Sequence, residues 1–389
     1  MTFDFDHPIP RAGSGALKYD ARQTIFGRAD VQPMWVADMD FAAPEAVTRA
    51  LQARASHPVY GYSQCPESLY EVLISWLAQR HGWQVERDWI MLCPGVVPSL
   101  NATVLALTQP GDAVVVQSPV YFPFFSAATA TGRRLVENPL QLENGRYRID
   151  FDHLEQCARD GARLLLLCSP HNPVGRVWRA DELDTLAGIA QRYGMVILAD
   201  EIHSDLIYPG QRHTPLATRP GMVELTITAV APSKTFNIPG LGLSVLVVPD
   251  PAQRKALAKA FDTLHVSTSN PFSLVAFEAA YREGEEWLEA LLIYLQGTRD
   301  ATAAYLAEQL PEIGLIAPEG TYLLWLDCRK LGLDDRALQR FFVEQAGLGL
   351  SPGTLFGSGG SGFMRMNIGT PRGNVMAALG RVREAINRN

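Results

Sequence analysis

A chain of 389 residues exceeds what one compact core holds, so two domains are expected. Its 47% hydrophobic and 19% charged residues describe a soluble globular protein, and a formal net charge of −7 argues against nucleic acid or an anionic membrane as partner. No apolar run reaches the length of a bilayer span, and residues 1–6 are acidic and aromatic where a signal peptide would be basic and then apolar, so the expected compartment is the cytoplasm.

Residues 1–40, rich in Pro, Gly and Asp, read as an extended arm ending in Met34-Trp35-Val36-Ala37-Asp38-Met39-Asp40-Phe41. Pro44 suits a first helical turn, and a helix is expected over 45–54. Tyr60-Gly61-Tyr62 lies in a polar-aromatic loop. The segment 68–81 places Leu69, Val72, Leu73, Trp76 and Leu77 on one helical face. From about residue 90 strands and helices alternate. Strands are expected at 90–92, 113–117, 134–137, 164–168, 195–199, 223–230 and 243–248, with helices at 96–107, after Tyr121 and at 181–193. This alternation predicts an α/β domain with a mostly parallel sheet and helices on both faces. Ligands in such sheets bind beyond the carboxyl ends of the strands, where the polar loops of this chain lie. A long helix over 272–295, broken near Gly284, follows. Strands at 314–317, 322–326 and 364–368 with helices at 335–345 and 374–386 then form a smaller α+β domain.

The five cysteines, Cys65, Cys93, Cys157, Cys168 and Cys328, are scattered and include no Cys-x-x-Cys, so neither a zinc site nor a disulfide framework is expected. Gly357-Ser358-Gly359-Gly360-Ser361-Gly362 formally contains G-x-G-x-x-G, yet it precedes a strand where a dinucleotide fingerprint must follow one, so it reads as a loop.

Lys234, in Ala231-Pro232-Ser233-Lys234-Thr235-Phe236-Asn237, is by itself a solvated charge. A lysine at one strand end and an acid at the end of an earlier strand are, however, the pair that pyridoxal phosphate (PLP) requires. The amine condenses with the cofactor aldehyde, and the acid faces the pyridine nitrogen. Asp200, directly after an apolar strand, is either that acid or a cap or turn. Asn172, before Pro173, either marks a turn or donates to a ring oxygen. Gly95-Val96 is an ordinary helix start or a phosphate cradle. Tyr121 is core or a plate stacked on a planar ring. Arg365, inside an apolar strand, needs either a protein carboxylate or a substrate carboxylate held bidentately.

With these residues in order, the whole chain resembles a fold-type I PLP enzyme of the aminotransferase superfamily, closest to the MalY/PatB-type cystathionine β-lyases. The stretches that carry the resemblance are Trp35 through Phe41, Tyr60-Gly61-Tyr62-Ser63, Ser118-Pro119-Val120-Tyr121, Cys168 through Trp178, Asp200 through Leu206, Ser233 through Leu241, Gly320-Thr321-Tyr322, Trp325-Leu326-Asp327 and Phe363 through Gly369 with Pro371-Arg372. General aminotransferases usually carry Tyr where His203 stands. The resemblance implies that Lys234 forms the Schiff base and carries the Cα proton, with Tyr121 and Tyr62 beside it in catalysis. Asp200, Asn172, His203 and the stacking Tyr121 hold the ring; Gly95, Val96, Ser233 and Tyr62 of a neighbouring protomer hold the phosphate. Arg365 and Ala37 bind substrate. It also implies a homodimer with shared active sites, a large domain over 48–284, and a small domain from 285–389 and the arm 1–47. Two positions depart from the pattern. Ala231 replaces a usual Ser three before the lysine, with Thr235 or a water expected to compensate. Gly242 stands where general aminotransferases place an Arg.

The implied reaction is α,β-elimination from L-cystathionine or a related L-cysteine S-conjugate, yielding pyruvate, ammonia and a thiol. The alternative on the same scaffold is an aminotransferase. A non-catalytic regulator predicts a degraded site, which this chain does not have. Tyr121-Phe122-Pro123-Phe124-Phe125 offers no charged partner for the distal part of the substrate, which favours an apolar or small thiol.

Overall fold

Seven of the expected strands form one sheet in a computed structural model that describes residues 3–268 and 270–388. In chain order they are β1 (Ile90–Cys93), β2 (Ala113–Val116), β3 (Arg134–Glu137), β4 (Leu164–Cys168), β5 (Val196–Asp200), β6 (Thr226–Val230) and β7 (Ser244–Val247). They lie side by side as β1-β7-β6-β5-β4-β2-β3. Only β7 runs antiparallel to its neighbours. The central strands are largely apolar and buried because both faces of the sheet are covered. Val115, Leu165, Leu167, Ile197 and Ala199 enter one core, while Val114, Val116, Leu164, Leu166 and Leu198 enter another, as a two-residue period requires.

Register decides where the loops go. Cys168 lies opposite Asp200, and Asp200 opposite Ala229. The loops that leave β4, β5 and β6 therefore emerge level, at one edge of the sheet. A second, antiparallel sheet contains β8 (Gly314–Ile316), β9 (Leu323–Asp327), β10 (Ser351–Pro352) and β11 (Phe363–Asn367) in the order β8-β9-β11-β10. Trp325 of β9 stacks on Phe363 of β11, with ring centroids 5.1 Å apart, and both join the core beneath the large sheet.

The first forty residues are not a simple extended arm. Two short helices, Leu17–Asp20 and Arg22–Phe26, interrupt them, and Gln32–Pro33 pairs with Leu348–Gly349. The Asp20 carboxylate accepts the amides of Gly13 and Gly15, a local closure that leaves no periodic signature. The helix Pro251–Thr263 also lay outside the expected elements, although Asp250 accepts the Gln253 amide at 2.7 Å and Pro251 occupies the first turn, a readable start signal.

The expected break at Gly284 separates helices Pro271–Glu283 and Glu285–Gln309. The second continues well past residue 295 because Thr298, Thr302 and Leu306 extend its buried face. A Cβ at Gly284 would overlap the Phe236 ring and the Ala280 carbonyl. Gly284→Ala should therefore cost about 1–3 kcal/mol of stability, read as a lowered denaturant midpoint. Cys93, Cys157, Cys168 and Cys328 are buried, and Cys65 is partly exposed. No helix among the described residues is long and apolar enough to cross a membrane.

Candidate functional site

Fully buried β6 delivers the chain to Ala231 and then to the single turn Pro232–Thr235, which aims Lys234 back across the sheet edge. Asn237 closes the loop in the left-handed region at φ 55°. Its side chain accepts the Met39 amide at 2.8 Å and donates to the carbonyls of Met39 and Phe41. Lys234 Nζ donates to the Ala37 carbonyl at 2.6 Å, and the Tyr322 hydroxyl donates to the same oxygen at 2.9 Å. Burial, reinforced by Arg365, lowers the amine to about 8 against the pull of Asp38 and Asp200. It is thus a usable proton acceptor near neutral pH.

Asp200 ends β5, buried, and among the described residues its carboxylate accepts only the Ile202 amide, at 3.2 Å. Burial pushes the carboxyl up to about 7. It is therefore neither a helix cap nor a surface turn, but an acid short of a cation. His203 is buried beside Tyr322, with ring centroids 6.3 Å apart, and its Nδ1 has no partner. Burial pushes this imidazole down to about 3, aided by Lys234 and Arg365, so it is neutral at working pH.

Arg365 of β11 donates from Nη1 to Asn172 Oδ1 at 3.0 Å, and from Nη2 to the Trp35 carbonyl at 2.7 Å and Ser351 Oγ at 3.3 Å. Its Nε is buried with no acceptor. No carboxylate of the described residues pairs with it, so the ion pair within the protein, one of the two partners considered for this cation, is absent. Burial lowers the guanidinium to about 10, with Tyr121 and Tyr322 acting the other way. The bond to Oδ1 leaves the Nδ2 edge of Asn172 as the available donor. Tyr121, half-buried, feels both Arg365 and Asp200, while burial raises its phenol. Lys234, Asp200, His203, Asn172, Arg365 and Tyr121 are thus linked by a hydrogen bond or by electrostatic proximity into one group.

Gly95 precedes the helix Val96–Leu107, whose N-terminus carries no side-chain cap. Because β1 and β6 run in the same direction across β7, Gly95 and Ser233 follow strand ends on the same edge. Gly242 (φ 48°) abuts this start: a Cβ there would stand 3.4 Å from the Pro94 carbonyl. Thr235 does not compensate for Ala231, because it is fully buried and its hydroxyl donates to Asp205 Oδ2 at 2.8 Å. Tyr62 is fully exposed, and a single chain does not bring it to this group.

These residues fit PLP. Asp200 lacks the cation a protonated pyridine nitrogen would supply, the uncapped helix start offers amides to a phosphate, and Lys234 is poised to be a free amine. The fit has a test in pH. A carboxyl at about 7 in the folded state, against an ordinary 3.8, gives stability that is complete below pH 3.8 and lost as pH rises through 7. The thermal midpoint of cofactor-stripped protein should fall over that window. Asp200→Asn, or restored cofactor, should flatten the fall.

Sequence reasoning assigned no role to Tyr322, Ser351, Asn237 or the carbonyl of Trp35. Tyr322 was legible only as part of a matching stretch, and a backbone carbonyl has no signature at all.

The sequence profile described as aminotransferase class I and II matches residues 34–382. Cystathionine beta-lyase PatB of Bacillus subtilis is 40% identical over 98% of this chain and 100% of its own. Protein MalY of Escherichia coli is 32% identical over 96% of both chains. The crystal structure of cystalysin from Treponema denticola, which contains pyridoxal 5'-phosphate, superposes with a TM-score of 0.97 at 35% identity over 100% of both chains.

Proposed function

The chain belongs to the aminotransferase class I and II family, and within it we propose a PLP-dependent carbon–sulfur β-lyase. It eliminates a thiol from L-cystathionine or a related L-cysteine S-conjugate and leaves pyruvate and ammonia. The observation that carries this reading is the end-to-end likeness to a cystathionine beta-lyase, over a site that keeps its amine, acid and guanidinium together.

Bound PLP supplies an aldehyde that a primary amine condenses with and a ring that draws electron density from the substrate Cα. Lys234 tethers the cofactor and, as a free amine, removes the Cα proton; the Ala37 carbonyl at 2.6 Å then accepts from the charged amine. Asp200 faces the ring nitrogen as a carboxylate. Asn172 donates from Nδ2 to the ring oxygen while Arg365 holds its Oδ1 at 3.0 Å. Arg365, beside Ala37, grips the substrate carboxylate. Tyr121 stacks on the ring and His203 supports it as a neutral imidazole. Gly95, Val96 and Ser233 hold the phosphate.

The exposed Tyr62 completes the site of a second copy, so the working unit is a homodimer. Residues 48–284 form the cofactor domain, and 285–389 with the arm 1–47 form the small domain. The enzyme acts in the cytoplasm on a small amino acid, and the aromatic run from Tyr121 to Phe125 favours an apolar or small thiol portion.

The test is incubation of holoenzyme with L-cystathionine, following pyruvate and released thiol. Both should appear in equal amounts. Amino transfer to added 2-oxoglutarate without pyruvate or thiol would identify an aminotransferase instead.

A further inference from the structure

Two cations of the site rest on one strip of backbone. Arg365 donates to the Trp35 carbonyl at 2.7 Å and Lys234 to the Ala37 carbonyl at 2.6 Å. Four further carbonyls of the strip are also held by side chains. Asn367 takes those of Val36 and Asp38, and Asn237 takes those of Met39 and Phe41.

Behind the strip lies a closed group of charges. Lys18 has no solvent exposure, and its Nζ stands 3.1 Å from both Asp40 oxygens and 3.3 Å from the Asp38 carbonyl. Arg11 bridges Asp38 and Asp40 at 2.7 Å each. Tyr19 donates to Asp40 at 3.1 Å, and the Trp35 indole donates back to the Lys18 carbonyl at 3.1 Å. Two cations and two carboxylates balance, but burying Lys18 and Asp40 costs several kcal/mol per ion before pairing, and apolar side chains would fasten an arm at least as well. What such a cluster supplies is fixed geometry. It fixes the residues on both sides of Ala37.

We propose that Lys18, together with Arg11, Asp38 and Asp40, is a positioning group for the reaction: the cluster locks the Ala37 carbonyl against the Lys234 amine and so governs how that amine takes and holds the Cα proton. This rests on the lyase reading given above. Lys18 touches neither substrate nor cofactor; it acts through the strip. The groups that bear on Lys234 are Asp38 from the strip, Asp200 from β5, Arg365 from β11, the neutral His203 and the Tyr322 phenol. Asp38 and Asp200 favour the protonated amine, and Arg365 opposes it. Loss of the carbonyl acceptor, or of the Asp38 charge, removes support for the protonated form. The amine then titrates lower.

The experiment compares holoenzyme of wild type, Lys18→Met, Lys18→Arg and Asp38→Asn. It measures kcat and KM for L-cystathionine across pH, and the pH midpoint of the visible band of the lysine-bound cofactor. In Lys18→Met, kcat should fall about 10- to 100-fold, the cost of displacing a reacting group by roughly an ångström, while KM changes less. In Asp38→Asn, which removes a negative charge that favours the protonated amine, the acidic limb of the kcat profile and the band midpoint should both move to lower pH. Lys18→Arg, which keeps the charge, should recover most of kcat. Folded variants that retain the wild-type kcat and midpoint, or lose only thermal stability, overturn the proposal. If Lys18→Met does not fold, the isosteric Asp38→Asn decides alone. Wild type that forms a lysine-dependent visible band but no pyruvate from any cysteine thioether refutes the lyase reading itself, and with it the role assigned here.

Discussion

Lys234→Ala should abolish pyruvate formation, with a loss of roughly 10³-fold or more, and should remove the visible absorption of lysine-bound cofactor. The size follows from two functions lost together. The amine that tethers the cofactor disappears, and so does the base held 2.6 Å from Ala37. An added small primary amine should restore part of the rate, because it supplies a base without the tether. The effect on folding should be small by comparison. Lys234 contributes one bond to the strip, while Asn237 and Asn367 keep theirs. Unchanged absorption in the variant would show that another residue holds the cofactor.

Arg365→Lys should raise KM for the amino acid about 10- to 100-fold and disturb kcat less. A lysine keeps the charge but loses the planar fork that reaches Asn172, Trp35 and Ser351 at once. Hydrogen bonds to a charged partner contribute about 1.5–3 kcal/mol each, so losing one accounts for a change of this size. The variant also frees Asn172 Oδ1, so the amide can turn, and the cofactor should bind more weakly. Steady-state kinetics and cofactor titration separate the two effects. An unaltered KM would place the substrate carboxylate elsewhere.

The sheet was legible because most of its strands are short apolar runs closed by polar loops. Residues 134–137 and 164–168 match β3 and β4 at both ends. Asp200 and Arg365 were legible for a related reason, as charged residues at the end of, or inside, an apolar strand, while Lys234 and Asn172 were legible only in combination with them, in the polar loops that follow such strands. The arm was not legible. Its course depends on Lys18, Asn237 and Asn367, which bond to backbone far away in sequence, and no local pattern encodes such a contact. The turn Phe341–Gln345 was merged with the helix Asp335–Arg340 before it, because a single widened π-helical turn is too short to interrupt an apolar pattern. The commitment of Thr235 to Asp205 was hidden too, since a hydroxyl in a loop reads the same whether it faces a ligand or a buried acid.

The interior placement of four cysteines has a consequence for a catalyst that liberates thiols. Released thiols oxidise to disulfides, and those disulfides exchange with any protein thiolate they reach. Burial pushes the Cys93 thiol up to about 12 and Cys168 well above its ordinary range, and raises Cys157 and Cys328 as well. These sulfurs are protonated and enclosed, so neither requirement for exchange is met. Only Cys65 has appreciable exposure, and burial raises it also, against the hydrogen bond with Tyr70. On the proposed reaction, the interior of the enzyme is insulated from the redox chemistry of its own product.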